Sequence, residues 1–245
     1  MVSHNNLIST LIKHKQLFTR VVPFDAGVDK LLLMDFTVNN TTLTNEIITD
    51  TSKFSNYVSN LLKSNNCKYG IGGYNEHRTV YARSGVFDND KYNTGVNKTS
   101  EPRRVHLGID IWGEIDTPVF VPLGGVVHSF AFNNNYGDYG ATIILQHQLD
   151  TTVFHTLYGH LSLKDLYPLK EGKFVSQGEI IGHFGSLQEN GHWPPHLHFQ
   201  IVKDMRVMKG DYPGVCKLSE RDAYLHNCPD PDLILQMMCY AQPGL

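Results

Sequence analysis

Between Val105 and Val202 the chain breaks into short apolar segments separated by glycine and proline: Pro118–Pro122, Gly125–Phe132, Ala141–Gln146, Thr152–Tyr158, Ile180–Phe184 and Leu197–Val202. Segments of this length at this spacing predict an antiparallel sheet assembly and not a succession of βαβ units. The fold class is therefore mainly β, with helices confined to the flanks.

The flanks carry the other periodicity. Leu7, Ile8, Leu11, Ile12 and Phe18 form a helix-like stripe, and Phe54, Val58, Leu61 and Leu62 form a second one behind the N-capping cluster Asp50-Thr51-Ser52. Lys30–Val38 between them reads as a strand. Residues 85–104, rich in Gly, Asn, Asp and Lys, read as a long loop. After Asp211 the pattern turns helical again. Ser219 and Asp222 resemble a capping pair, and Asp230 stands before Pro231 at a first helical position.

Two strings inside the β region carry chemistry. Side chains at i and i+2 of a strand share a face, so His196 and His198 of Pro195-His196-Leu197-His198-Phe199 project together, about 6.6 Å apart along the strand. In His106-Leu107-Gly108-Ile109-Asp110 the first and last residues share a face, with Gly108 leaving room between them. Two imidazoles and a carboxylate fill three positions around zinc and leave a fourth for water, the arrangement of catalytic zinc sites. Tyr158-Gly159-His160-Leu161-Ser162 adds one more histidine at a strand end. Two other readings fit the sequence less well. A two-histidine, one-carboxylate iron oxygenase commonly spaces its first pair H-x-D and leaves His160 and His196 idle. A lipoyl- or biotinyl-type carrier, suggested by Gly172–Gly182, lacks a lysine at a hairpin tip.

Bulk properties narrow the partners. With 245 residues, a net charge of −3 and a pI of about 6.5, the chain has no basic footprint for nucleic acid or an anionic membrane. No apolar run approaches the ~18 residues of a membrane helix. No signal-peptide pattern opens the sequence, so the expectation is a cytoplasmic protein, or an exported one if a leader has been removed. Cys67, Cys216, Cys228 and Cys239 show no C-x-x-C pairing; reduced thiols are expected, with a Cys216–Cys228 bridge left open. Thirteen histidines are the compositional excess, which directs attention to the strings above.

Taken in order, these strings resemble the lysostaphin-like (LytM-type) zinc metallopeptidases, whose pattern runs H-x-G-x-D, then Y-x-H-L-S, then P-H-L-H-F. Thr117-Pro118-Val119, Pro122-Leu123-Gly124-Gly125-Val126-Val127 and Val175–Gly182 match as well. The resemblance implies one Zn2+ per chain held by His106, Asp110 and His198, with His160 and His196 as the catalytic pair. It implies a duplicated hybrid motif, barrel-sandwich-like, with peripheral N- and C-terminal helices. The activity it implies is hydrolysis of a peptide amide in a glycine-rich or cell-wall-type peptide or muropeptide; the alternative is a non-catalytic member that binds peptide or partner proteins. The chain then divides into an N-terminal extension (1–65), a linker and groove-flanking segment (66–104), the peptidase core (105–209) and a helical tail (210–245).

Beyond the core, Tyr69–Phe87 and Asp211–Leu235 resemble stretches of such peptidase domains that occur beside an aminotransferase domain. Two departures stand out. The turn before His196, Leu187–Pro195, is long and carries His192 and Trp193, which are expected to reshape one cleft wall. Members acting on cell walls are exported, whereas no leader is visible here. Residues 66–104 are expected along one rim of the groove, with Tyr74, Asn75 or Arg78 facing it; Asn75 or Glu76 is a candidate to block the metal site.

Overall fold

A computed structural model describes residues 6–88 and 101–244. Helix α1 (Asn6–Lys13) takes up the first apolar stripe but is shorter than the stripe, passing into a single 3-10 turn at Lys15–Leu17. Strand β1 (Leu31–Leu33) occupies only the apolar part of the predicted strand. Helices α2 (Asn45–Thr49) and α3 (Thr51–Ser64) follow, α3 capped by the Asp50 carboxylate, which accepts from the Lys53 amide. Strand β2 (Tyr69–Gly72) is buried throughout.

The central strands are β3 (Val105–His106), β4 (Ile109–Trp112), β5 (Pro118–Phe120), β6 (Gly125–Asn133), β7 (Gly140–Leu149), β8 (Thr152–Leu161), β9 (Phe174–Val175), β10 (Ile180–His183), β11 (His196–Val202) and β12 (Val215–Cys216). The chain ends with α4 (Arg221–Asn227), α5 (Asp232–Leu235) and β13 (Ala241–Gln242). Nine strands form one sheet in the order β13-β1-β2-β4-β11-β8-β7-β6-β9, while β5 pairs with β10 and β3 with β12. Most pairings are antiparallel, as expected; β1 runs parallel to both β2 and β13. The architecture is thus mixed α/β around a large, mostly antiparallel sheet.

Two expectations about the flanks need correction. The N-terminal part is not merely peripheral, because β1 and β2 extend the sheet beyond β4, where Gly72 pairs with Asp110. Ser219 does not cap α4; Glu220 takes that position, and the Ser219 hydroxyl turns to the Glu101 carboxylate. Most of the 85–104 loop, residues 89–100, lies outside the described residues.

Three buried clusters organise the interior. The largest packs one side of the sheet around Ile109, Ile143, Tyr158 and Phe199, with Leu7 and Leu11 of α1 against it. A second joins Phe36, Phe54, Tyr81 and Phe87 to Trp112 and Trp193. A third gathers Val105, Tyr139, Cys216 and Cys228. All four cysteines are free thiols. No helix among the described residues is long and apolar enough to cross a membrane.

Candidate functional site

Strand pairing assembles the site. On β11, His198 stands opposite Asp110 of β4, and His196 opposite Trp112; directly opposed residues are close neighbours on a sheet face. The bend at Leu107-Gly108 between β3 and β4 returns His106 to the same place. A Cβ on Gly108 would lie 2.5 Å from the His198 ring, so this glycine is what lets the ring reach Asp110.

The result is a cluster of three fully enclosed donors. His106 Nε2 lies 2.9 Å from His198 Nδ1, and Asp110 Oδ1 lies 3.3 Å and 3.1 Å from those two nitrogens. Ligand atoms on a tetrahedral zinc with bonds of ~2.0–2.2 Å sit roughly 3.3 Å apart. Among the described residues this is the one group of histidine, cysteine and carboxylate side chains close enough to share an ion.

Each ring is oriented by the nitrogen that faces away. His106 Nδ1 donates to the Gly73 carbonyl at 3.0 Å, leaving the Nε2 lone pair toward the cluster. His198 Nε2 donates to the Gln200 side-chain oxygen at 2.9 Å. The Gln200 amide is itself fixed, since its nitrogen donates to the Pro213 carbonyl. Burial holds the His106 imidazole neutral, pushed down to about 3. Burial opposes ionisation of Asp110, but His106 and Arg78 beside it hold its carboxyl well below the usual range. Neutral imidazoles and an ionised carboxylate are the forms that bind a divalent metal.

His160 and His196 stand beside this cluster without joining it. Their ring centroids are 4.1 Å apart, and the His160 ring is 6.3 Å from that of His198. His160 Nδ1 donates to the Asn190 carbonyl at 2.8 Å and His196 Nδ1 to the Pro194 carbonyl at 2.7 Å, so each presents an unprotonated Nε2. Burial keeps both rings neutral, His160 pushed down to about 3. His160 adopts φ = 62°, a costly conformation for a non-glycine residue that persists only where its surroundings enforce it. Here its amide donates to the Tyr139 carbonyl, and its own carbonyl accepts from Gly185.

The cleft above the donors is walled by Tyr81, Phe87 and Arg103 from the preceding segment and by Trp193 from the long turn. Trp193 therefore shapes a wall as expected, whereas His192 packs against Tyr136. Arg78 also lines the cleft. Tyr74 and Asn75 instead tie the segment to the C-terminal part, through the Cys228 carbonyl and Arg221 respectively. Glu76 is engaged by Arg78, so neither Asn75 nor Glu76 occupies the donor cluster. Sequence reasoning missed Trp112, Tyr139, Asn190 and Gln200. Only Gln200 carried a signal, as the next residue on the face of His196 and His198.

Residues 104–210 match the model described as peptidase family M23. The L-Ala–D-Glu endopeptidase of Bacillus subtilis (strain 168) is 31% identical over 107 residues, which are 42% of this chain and 31% of that enzyme. The chain thus spans about a third of the length of that curated relative. Among solved structures, the catalytic domain of the antimicrobial peptidase lysostaphin from Staphylococcus simulans is 25% identical, with 69% of this chain and 96% of that domain covered and a TM-score of 0.37. A zinc-containing peptidase from Vibrio cholerae is 30% identical, with coverages of 45% and 32% and a TM-score of 0.33. Residues 104–210, which hold every donor of the cluster, are the part of the chain that is similar to peptidase family M23.

Proposed function

We propose that the chain is a zinc-dependent endopeptidase that hydrolyses a peptide amide bond in a glycine-rich or cell-wall-type peptide. The observation that carries this reading is the convergence of His106 Nε2, Asp110 Oδ1 and His198 Nδ1 within one cleft, beside two further imidazoles with open Nε2 atoms. The donor set fits zinc: two imidazoles and one carboxylate, at tetrahedral spacing, one ion per chain. When bound, zinc supplies Lewis acidity toward water and a scissile carbonyl.

The remaining chemistry falls to the protein. His160 and His196, neutral and facing the cleft, accept a proton and return it to the leaving amine, as general acid–base groups do. Tyr81, Phe87 and Trp193 exclude water around the bond being cut, and their closeness favours an extended peptide with small residues at the cleavage point. We read the large sheet with its β5–β10 pair as the barrel-sandwich-like hybrid fold that the family resemblance implies. A muropeptide substrate is in keeping with the name of the Bacillus subtilis relative.

The test is incubation of the zinc-loaded chain with a panel of glycine-rich peptides and muropeptides, with and without chelator. Cleavage lost to chelator and restored by zinc is the expected result. Stoichiometric zinc with no cleavage of any panel member would favour the non-catalytic, peptide-binding alternative.

A further inference from the structure

We infer that Arg78, seated in the Gly72-Gly73 turn, is a positioning residue for the metal: it takes one oxygen of Asp110 and reserves the other for the ion. This rests on the metal assignment made above. Arg78 Nη1 donates to Asp110 Oδ2 at 2.5 Å, while Oδ1 of the same carboxylate faces the two histidine nitrogens. The carboxylate is thereby divided between a guanidinium and the donor cluster. A carboxylate divided in this way would offer an ion a single oxygen.

Arg78 is built to hold that position. Its side chain is 1% exposed, and a buried guanidinium is costly unless its donors are matched. Nε donates to Glu76 at 2.7 Å and Nη2 to the Gly72 carbonyl at 3.0 Å, so three acceptors hold the planar fork. Gly73, at φ = 99°, makes the space: a Cβ there would lie 1.7 Å from Nη2. The Gly73 carbonyl also accepts from His106 Nδ1. One short turn therefore orients two of the three donors, and it lies outside residues 104–210.

Three variants test this: Arg78→Lys, which keeps the charge but not the fork; Gly73→Ala, which keeps every charge but crowds Nη2; and Glu76→Gln, a milder change at a partly exposed carboxylate. The readouts are zinc Kd by competition with a chromophoric chelator and the visible spectrum of the Co2+-loaded protein, neither of which depends on turnover. Partners that orient metal ligands typically contribute ~10–100-fold in affinity, and a loss of that size is expected for Arg78→Lys and Gly73→Ala, with an altered Co2+ spectrum. Glu76→Gln should weaken zinc by a smaller factor in the same direction and serves where the other two do not fold. Zinc affinity within twofold of the unmodified chain and an unchanged Co2+ spectrum in the folded variants would overturn the inference. An unmodified chain that binds no zinc would instead overturn the metal assignment itself.

Discussion

The imidazole of His196 lies nearly parallel on the indole of Trp112, with ring centroids 3.9 Å apart and planes inclined by 15°. The two residues face each other across β11 and β4, so the stack follows from strand register. His160 covers the other side of His196. Phe36 and Phe54 meet Trp112 edge-on from the N-terminal part. The proposed proton-transfer pair is therefore held in a stack that is backed by Phe36 and Phe54, which lie outside residues 104–210.

Replacing Trp112 should loosen that clamp without touching a metal donor. Trp112→Leu keeps the site apolar but removes the flat face, and misplacement of a catalytic group on the order of 1 Å can cost ~10²-fold. The expected outcome is a kcat lowered roughly 10–100-fold, a similar KM and full zinc content, with Trp112→Phe recovering most of the loss. Steady-state kinetics with elemental analysis checks this; an unchanged kcat in Trp112→Leu would show that the stack plays no part.

Phe54 couples the N-terminal part to the cleft. It is fully buried on α3 and touches Phe36, Trp112 and Trp193. Phe54→Ala should destabilise the fold by about 3–5 kcal/mol, the usual range for a buried phenylalanine, through lost transfer energy and the cavity left behind. Urea unfolding measures it. A loss below about 1 kcal/mol would mean that α3 is not integral to this core.

Much of this was legible from residue order because the informative parts are local. Glycine and proline spacing located β5 to β8, β10 and β11, and the i, i+2 rule put His196 and His198 on one face. Gly108 revealed itself as a spacer, although the group it admits is the His198 ring. What stayed hidden is long-range. Nothing in Leu31–Leu33 announces a parallel pairing with Tyr69–Gly72 and Ala241–Gln242, since register between distant segments is set by tertiary packing. Trp112 reads as an ordinary strand aromatic until β11 places His196 against it. Arg78 was recognisable as facing the groove, but its bond to Asp110 depends on β2 pairing with β4.

Stability should fall in mild acid for a reason unrelated to the metal. His147 is buried, with Nε2 against the Thr156 hydroxyl and Nδ1 against the Gly124 carbonyl. Burial pushes its imidazole down to about 4, and His155 is lowered to a similar value mainly by burial. Unfolded histidines titrate near ~6.5, so below that pH the unfolded chain binds protons that the folded chain refuses. Stability is thus full above ~6.5 and declines as pH falls toward 4, by about 1.4 kcal/mol per pH unit for each such histidine. Denaturation of the metal-free protein at about pH 7 and about pH 5 should show the decline, to which the buried His106, His160 and His196 add, and a folded His147→Gln variant should make it shallower by about one histidine's share. Equal slopes in the two proteins would contradict the assignment to His147.

The donor cluster and the neighbouring histidines should separate cleanly on substitution. His198→Ala and Asp110→Ala each remove one of three converging donors, so elemental analysis should find zinc largely lost. His160 is different: its Nδ1 is engaged by the Asn190 carbonyl, its ring is 6.3 Å from that of His198, and it is not among the three converging donors. His160→Ala should therefore keep its zinc while losing ~10²–10⁴-fold in turnover, the usual contribution of a general acid–base group. His196→Ala should behave alike. Full zinc retention in both His198→Ala and Asp110→Ala would remove the metal assignment, and zinc loss in His160→Ala would move that residue from proton transfer to coordination.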